Sequence, residues 1–289
     1  MNIHLVDGTY ELFRAHFGAP PKKSTSGQEV GATVGLLRSM LLLLSDPVVT
    51  HVAVAFDHVI ESFRNKMYAG YKSSAGVDKV ILDQFPVAEA AIKALGLVTW
   101  PQVKFEADDA IATAVAKFKK VKSVEQIVIC SVDKDLTQMV EGNRVICWDR
   151  RREILLDEKG VIEKFGVSPE SIPDFLALVG DSADGYPGIQ GWGEKSTSTV
   201  LAKYKHIENI PNDPAKFGLS VGRATTLLEN LKSNYKDALL FRELSTLRTD
   251  VPLKETLADM KWQGATAKFK KVCKELDSES IIERVKKWQ

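Results

Sequence analysis

Three short apolar runs, each closed by an aspartate, constrain the fold of this chain more than any other feature. IHLVD at residues 3–7, HVAVAFD at 51–57 and QIVICSVD at 126–133 read as strands buried on both faces of a parallel sheet. GATVGLLRSMLLLLS, between the first two, has helical length and apolar spacing. EADDAIATAVAKFKK at 106–120 carries acids in its first turn and lysines in its last, as a helix dipole favours. This alternation predicts an α/β domain whose ligands bind beyond the carboxyl ends of the strands. Asp7, Asp57 and Asp133 are expected there.

NRVICWDRRREILLD at 143–157 reads as two strands about a basic turn at the sheet edge. From Glu158 onward the pattern turns helical, in PESIPDFLALVG, STSTVLAKY, RATTLLENL and KDALLFREL. The expected division is an α/β unit over 1–165 and a helical unit over 166–289. A chain of 289 residues, 44% hydrophobic, can bury either one large core or two modest ones. Its longest apolar run, MLLLL, is far short of a membrane span, and MNIHLVDG lacks the form of a leader, so a cytoplasmic protein is expected. Cys130, Cys147 and Cys273 are odd in number and form no CxxC pair, which points to buried apolar packing rather than disulfides or zinc.

The acids fall in tight groups: Asp7; Asp57; Glu106, Asp108 and Asp109 in FEADD; Asp133 and Asp135 in SVDKD; Asp181 and Asp184 in GDSAD. Positions 106 and 109 share a helix face, so their carboxylates can point at one spot, with 108 close by. Any one of these acids alone is most simply a cap, a turn former or a surface charge. Groups that recur after or near buried strands are harder to explain that way, and crowded anions are costly without cations. Oxygen donors without histidine or cysteine favour hard ions, Mg²⁺ or Mn²⁺, over zinc. Two such ions can drive in-line hydrolysis of a phosphodiester. Of the 38 acids nine lie in these groups, leaving 29 against 39 lysines and arginines, so the rest of the chain carries about +10. That surplus suits a polyanion.

Residues 58–84 interleave Arg64, Lys66 and Lys72 with Phe63, Tyr68 and Tyr71, as a single-strand-binding surface does, although a solvated loop has the same composition. GYPGIQGWGEKS at 185–196 resembles a nucleotide P-loop, but Glu194 separates Gly193 from Lys195 and Ser196, and no strand leads into it. LVDGT lacks the earlier aspartate that an aspartyl-phosphate phosphatase motif requires.

VDGTYELFRAHF, FDHVIESFRNKMYAGYK, FEADDAIAT, SVDKDLTQMV, LVGDSADGYPGIQGWGEKST and LSTLRTDVPL, in this order and over essentially the whole chain, resemble the 5′-nuclease domain of bacterial DNA polymerase I and the related flap endonucleases. The resemblance implies a PIN-like, mostly parallel α/β sheet with a helical arch over 58–84 and a helix-three-turn-helix over about 181–204. It implies a first metal cluster of Asp7, Asp57, Glu106, Asp108 and Asp109, and a second of Asp133, Asp135, Asp181 and Asp184. It assigns Arg64 and Lys72 to the scissile phosphate and threaded 5′ strand, with Tyr68 and Tyr71 beside them to stack on bases. Gly188, Gly191 and Gly193 would bring backbone N–H groups to a duplex phosphate, Lys195 and Ser196 would touch the same backbone, and the turn would hold K⁺.

The expected function is a stand-alone, divalent-metal 5′-nuclease acting on flaps and 5′ ends of DNA, including RNA primers in RNA–DNA hybrids. It would be a monomer linked to a polymerase and a ligase, with no membrane partner. A DNA-structure-binding protein with weak catalysis, or a PIN-type ribonuclease, would share the acids. Two departures stand out: SSAGVDK follows Tyr71 and Lys72 where the family usually has a further basic residue and a proline-rich piece, and DGYPG replaces the usual DNIPG. Trp192 suits packing as well as DNA contact, and the terminal KKWQ reads as a solvated helix end.

Overall fold

The computed structural model describes residues 1–289. Its strands are β1 (Asn2–Asp7), β2 (His51–Asp57), β3 (Val98–Gln102), β4 (Gln126–Cys130), β5 (Val145–Asp149) and β6 (Ile154–Leu156). The helices used below are α1 (Gly8–Gly18), α2 (Gly31–Leu43), α3 (Arg64–Met67), α4 (Lys79–Leu82), α5 (Phe85–Ala94), α6 (Ala107–Phe118), α7 (Glu158–Phe165), α8 (Ile172–Val179), α9 (Glu194–Tyr204), α10 (Val221–Ser233), α11 (Tyr235–Ser245), α12 (Leu257–Met260) and α13 (Lys268–Glu275). None is long and apolar enough to cross a membrane.

The six strands form one sheet in the order β3-β2-β1-β4-β5-β6. All neighbours are parallel except β5 and β6, which pair antiparallel at the edge, as the basic turn between them predicts. β1 sits at the centre, with Val6 opposite Val54 of β2 and opposite Cys130 of β4. Strand order reverses between β1 and β4, and a sheet of this kind opens its ligand crevice at such a point.

Alternate residues of the central strands feed two separate core layers. Ile3, Leu5, Ala53, Ala55, Ile127 and Ile129 pack with α6 and, further out, with α8 and α11. Val6, Val52, Val54, Phe56 and Cys130 pack with α2, α5 and α13. Because both faces are covered, the strands need apolar residues at every position, which explains why the runs are continuous rather than alternating. The three cysteines are buried and unpaired.

Several local expectations are corrected. β3 was not anticipated: VTWPQ is short, half-buried and holds Pro101, which an edge strand tolerates because one side of its backbone needs no partner. Two helices, not one, join β1 to β2, since Asp7 caps α1 by accepting from the Tyr10 N–H at 2.8 Å. β4 ends at Cys130, so Asp133 stands on the loop beyond the strand. The terminal KKWQ is not a helix end: Trp288 bridges to Ala265, and the Gln289 N–H donates to the Ala265 carbonyl at 3.0 Å. Phe269, Cys273, Leu276, Ile281 and Val285 join the core layer of α2 and α5, so the end of the chain packs on the α/β unit.

Candidate active site

Parallel register sets the first part of the site. Asp7 lies opposite Ala55, so Asp57, two residues further along β2, projects to the same face. That face is covered by α6, which begins at Ala107 directly above the strand ends. The Ala107 N–H donates to Asp57 Oδ1 at 2.7 Å, and Thr9 Oγ1 accepts from the Asp57 N–H at 2.8 Å. Ser131 ties the two halves of the crevice together: its hydroxyl donates to Asp7 Oδ2 at 2.8 Å and accepts from the Asp133 N–H at 3.1 Å. Ser131 and Lys134 were overlooked in the sequence although both stand within or beside SVDKD.

Asp135, Asp181 and Asp184, all buried, present carboxylate oxygens within 4.8 Å of one another. Asp135 comes from the loop after β4, and the other two from the turn after α8. The turn is held by a two-way pairing of Asp181 with Tyr186 and by the Gly185 N–H donating to the Asp181 carbonyl at 2.8 Å. Asp135 Oδ1 is buried without a hydrogen-bond partner. An orphaned carboxylate oxygen beside two further carboxylates has the donor set of a hard divalent cation.

Electrostatics agree with that fit. Burial, with Asp57 and Asp133 nearby, raises the Asp7 carboxyl to about 7. Burial also raises Asp57 to about 6 and pushes Asp108, Asp135 and Asp184 upward. Such carboxyls resist ionisation until cations neutralise them. Two partly exposed lysines do part of this. Lys72 Nζ lies 2.8 Å from Glu106 Oε2 and 3.0 Å from Asp184 Oδ1, and Lys134 Nζ lies 2.8 Å from Asp181 Oδ2. Burial would raise Glu106, but Lys72 and Arg64 outweigh it and hold its carboxyl at about 2.

Other predicted residues are placed differently. Glu106 and Asp109 do converge on one spot, but Arg64 fills it. The Arg64 side chain is 1% exposed, and its N–H groups reach Glu106 Oε1, both Asp109 oxygens and the carbonyls of Leu244 and Thr246 at 2.7–3.1 Å. Asp109 also accepts from the Glu106 and Arg248 N–H groups. All five Arg64 N–H donors are engaged in these contacts. Tyr71 is buried with its hydroxyl 3.3 Å from both Glu106 Oε2 and Asp184 Oδ2, whereas Tyr68 is half-buried and packs edge-on to Phe241. Residues 58–84 hold only the one-turn helices α3 and α4, and Lys72 alone of their predicted pair reaches the acids while 28% open to solvent.

In the glycine turn, Gly188 and Gly191 have φ of 72° and 85°, which glycine adopts without strain. Gly191, Gly193 and Lys195 are exposed, and Gly193 caps α9 without any side-chain hydrogen bond, leaving a helix start that suits an anion. Ser196 is instead buried, its hydroxyl accepting from Arg223 Nε at 3.0 Å, and Trp192 is buried with Nε1 donating to the Leu227 carbonyl at 3.0 Å.

A doubly wound, mostly parallel sheet that gathers buried carboxylates at its switch point, joined to a helical unit, defines a class: a hydrolase of phosphodiesters. The model of the 5′-3′ exonuclease N-terminal resolvase-like domain matches residues 2–166, and that of the 5′-3′ exonuclease C-terminal SAM fold matches 167–268. The chain belongs to the 5′-3′ exonuclease family. It is 33% identical to a 5′-3′ exonuclease of Aquifex aeolicus over 286 residues, covering 99% of this chain and 95% of that protein. It is 34% identical to DNA polymerase I of Rhizobium leguminosarum over 261 residues, but spans only 25% of that protein's length. The bacteriophage T5 D15 flap endonuclease, solved as a pseudo-enzyme-product complex with DNA and metal ions, shares the fold with a TM-score of 0.68 at 16% identity over 98% of this chain and 99% of its own.

Proposed function

We propose that the protein is a structure-specific 5′-nuclease that hydrolyses phosphodiesters at 5′ flaps and 5′ ends of DNA, including RNA-primed ends. The observation that carries this reading is the convergence of Asp135, Asp181 and Asp184 within 4.8 Å at the switch point of the sheet. Asp7, Asp57, Asp108 and Asp133 complete the set of carboxylates that would hold divalent cations, with Mg²⁺ or Mn²⁺ suited to oxygen donors. When bound, those ions supply charge stabilisation and water activation for in-line displacement.

The chain's own residues do the rest. Lys72 stands between the Glu106 and Asp184 carboxylates and is the cation best placed to meet a phosphate entering the crevice. Arg64 fixes Glu106 and Asp109, and through them the start of α6. Lys195, Gly191, Gly193 and the open start of α9 grip a duplex phosphate, with K⁺ held by the carbonyls of the glycine turn. In this reading the α/β unit over 1–165, completed by Asp181 and Asp184 of the helical unit, cuts, and the rest of the helical unit orients the duplex. The protein acts as a cytoplasmic monomer beside a polymerase and a ligase; the DNA polymerase I relatives support the polymerase link.

A labelled 5′-flap duplex incubated with the purified protein tests this. Cleavage near the single-strand junction is expected with Mg²⁺ or Mn²⁺ and none in chelator; no cleavage with either ion would defeat the proposal. Equal flaps of RNA on the same duplex separate it from a ribonuclease, which would cut RNA alone.

A further inference from the structure

Lys134 stands between Asp133 and Asp135 in SVDKD and so far serves only to neutralise charge. Its main chain is fixed, because its carbonyl accepts from the N–H of the buried Thr137 at 3.0 Å. Its side chain is 36% open to solvent and ends on Asp181, whose own side chain is 4% open. Asp181 Oδ2, 2.8 Å away, is the one ion-pair partner of the ammonium.

The two Asp181 oxygens are not equivalent. Oδ1 accepts from the Ala183 N–H at 2.9 Å, inside its own turn, whereas Oδ2 takes no main-chain N–H and is held by Lys134. The Asp181 main chain is bonded to Gly185 and Tyr186, so the carboxylate stays where it is and the lysine is the part free to move. An ammonium on a flexible four-carbon stem can change partners without any change in the backbone.

Asp181 is also one of the three acids whose oxygens lie within 4.8 Å of one another. A divalent cation drawn to that group and the Lys134 ammonium therefore seek the same oxygen. Two cations on one carboxylate repel strongly where solvent is sparse, so one must yield. The crevice lysines pair with Glu106, Asp184 and Asp181, and leave Asp7, Asp57, Asp108 and Asp133 without such a competitor.

We propose that Lys134 is a positioning residue that competes with a divalent cation for Asp181 Oδ2 and so sets the cation concentration at which the Asp135–Asp181–Asp184 group fills. The inference rests on the functional reading above.

The test compares the full-length protein with Lys134→Met and Lys134→Gln, each of which removes the charge. Mn²⁺ binding is followed by calorimetry and by electron paramagnetic resonance, and cleavage of a 5′-flap is titrated with Mg²⁺. Both variants are expected to bind one Mn²⁺ about tenfold more tightly, and to reach half-maximal cleavage at about one tenth of the wild-type Mg²⁺ concentration. Adding Asp181→Asn should abolish the gain, since both residues act on one oxygen. Mn²⁺ binding that is unchanged or weaker in both variants overturns the inference alone, and with a lowered thermal midpoint it makes Lys134 purely structural. An equal gain in the Asp181→Asn background also overturns it, because the lysine would then act only through its general field. If the wild-type protein itself binds no Mn²⁺, both this inference and the functional reading fall.

Discussion

Arg64 shows how one side chain can hold two parts of the molecule together. It joins the start of α6 to the carbonyls of Leu244 and Thr246 at the end of α11, and burial forces every donor to find an acceptor. Removing it strands the Glu106 and Asp109 carboxylates in the core. Arg64→Ala is therefore expected to lower stability by about 3–5 kcal/mol, measured by urea unfolding. Arg64→Lys should recover only part of this, because a lysine cannot reproduce the forked contacts. Lys72 makes the opposite case. It is partly open and faces the crevice, so Lys72→Met, although less stable for leaving Glu106 and Asp184 one cation short, should when folded cut a 5′-flap about a hundredfold more slowly. A variant cutting at the wild-type rate would remove Lys72 from the chemistry.

At the scale of elements, the turn after α8 and the segment after β2 are fitted to each other. The Lys72 N–H donates to the Asp184 carbonyl at 2.9 Å, and Gly185, at φ 87°, passes so close to Gly70 that a Cβ there would overlap its carbonyl oxygen. This accounts for the glycine in DGYPG. An alanine would have to displace the neighbouring segment and would also carry the strain of the left-handed conformation, about 1–2 kcal/mol by itself. Gly185→Ala should thus destabilise the protein and expose residues 66–80 to limited proteolysis. Gly193→Ala is the contrast: its φ is −93° and open space surrounds it, so stability should change by less than about 1 kcal/mol. Any loss in Gly193→Ala should instead appear as weaker duplex binding. Equal proteolysis of Gly185→Ala and wild type would contradict the docking.

Across the whole molecule, the sheet was legible because burial on both faces imposes a continuous apolar pattern on β1, β2 and β4. β3 was hidden by its proline and its half-buried edge position. The acids were legible as groups, but their partners were not. Arg64 and Tyr71 share the composition of a nucleic-acid surface, and only the tertiary packing turns them inward. Ser196 was likewise read from its place after Lys195, whereas Arg223, far along the chain, claims its hydroxyl.

The whole set of buried carboxyls also sets a pH dependence. Asp7 and Asp57 have folded values of about 7 and about 6, above their ordinary value of 3.8. Between pH 4 and 7 the native state therefore binds more protons than the unfolded chain, and metal-free stability falls as pH rises. A divalent cation needs the ionised carboxylates, so the rise in thermal midpoint that Mg²⁺ produces should be larger at pH 7 than at pH 5. A Mg²⁺ effect independent of pH would argue that these carboxyls do not meet the ion.

The central claim is that the carboxylates gathered at the switch point do the cutting. Its most direct test is Mg²⁺-dependent cleavage of a 5′-flap by Asp135→Ala, after unfolding measurements have shown that the variant is folded. The account predicts a rate at least about a hundredfold below wild type; a folded Asp135→Ala protein that cuts at the wild-type rate would contradict it.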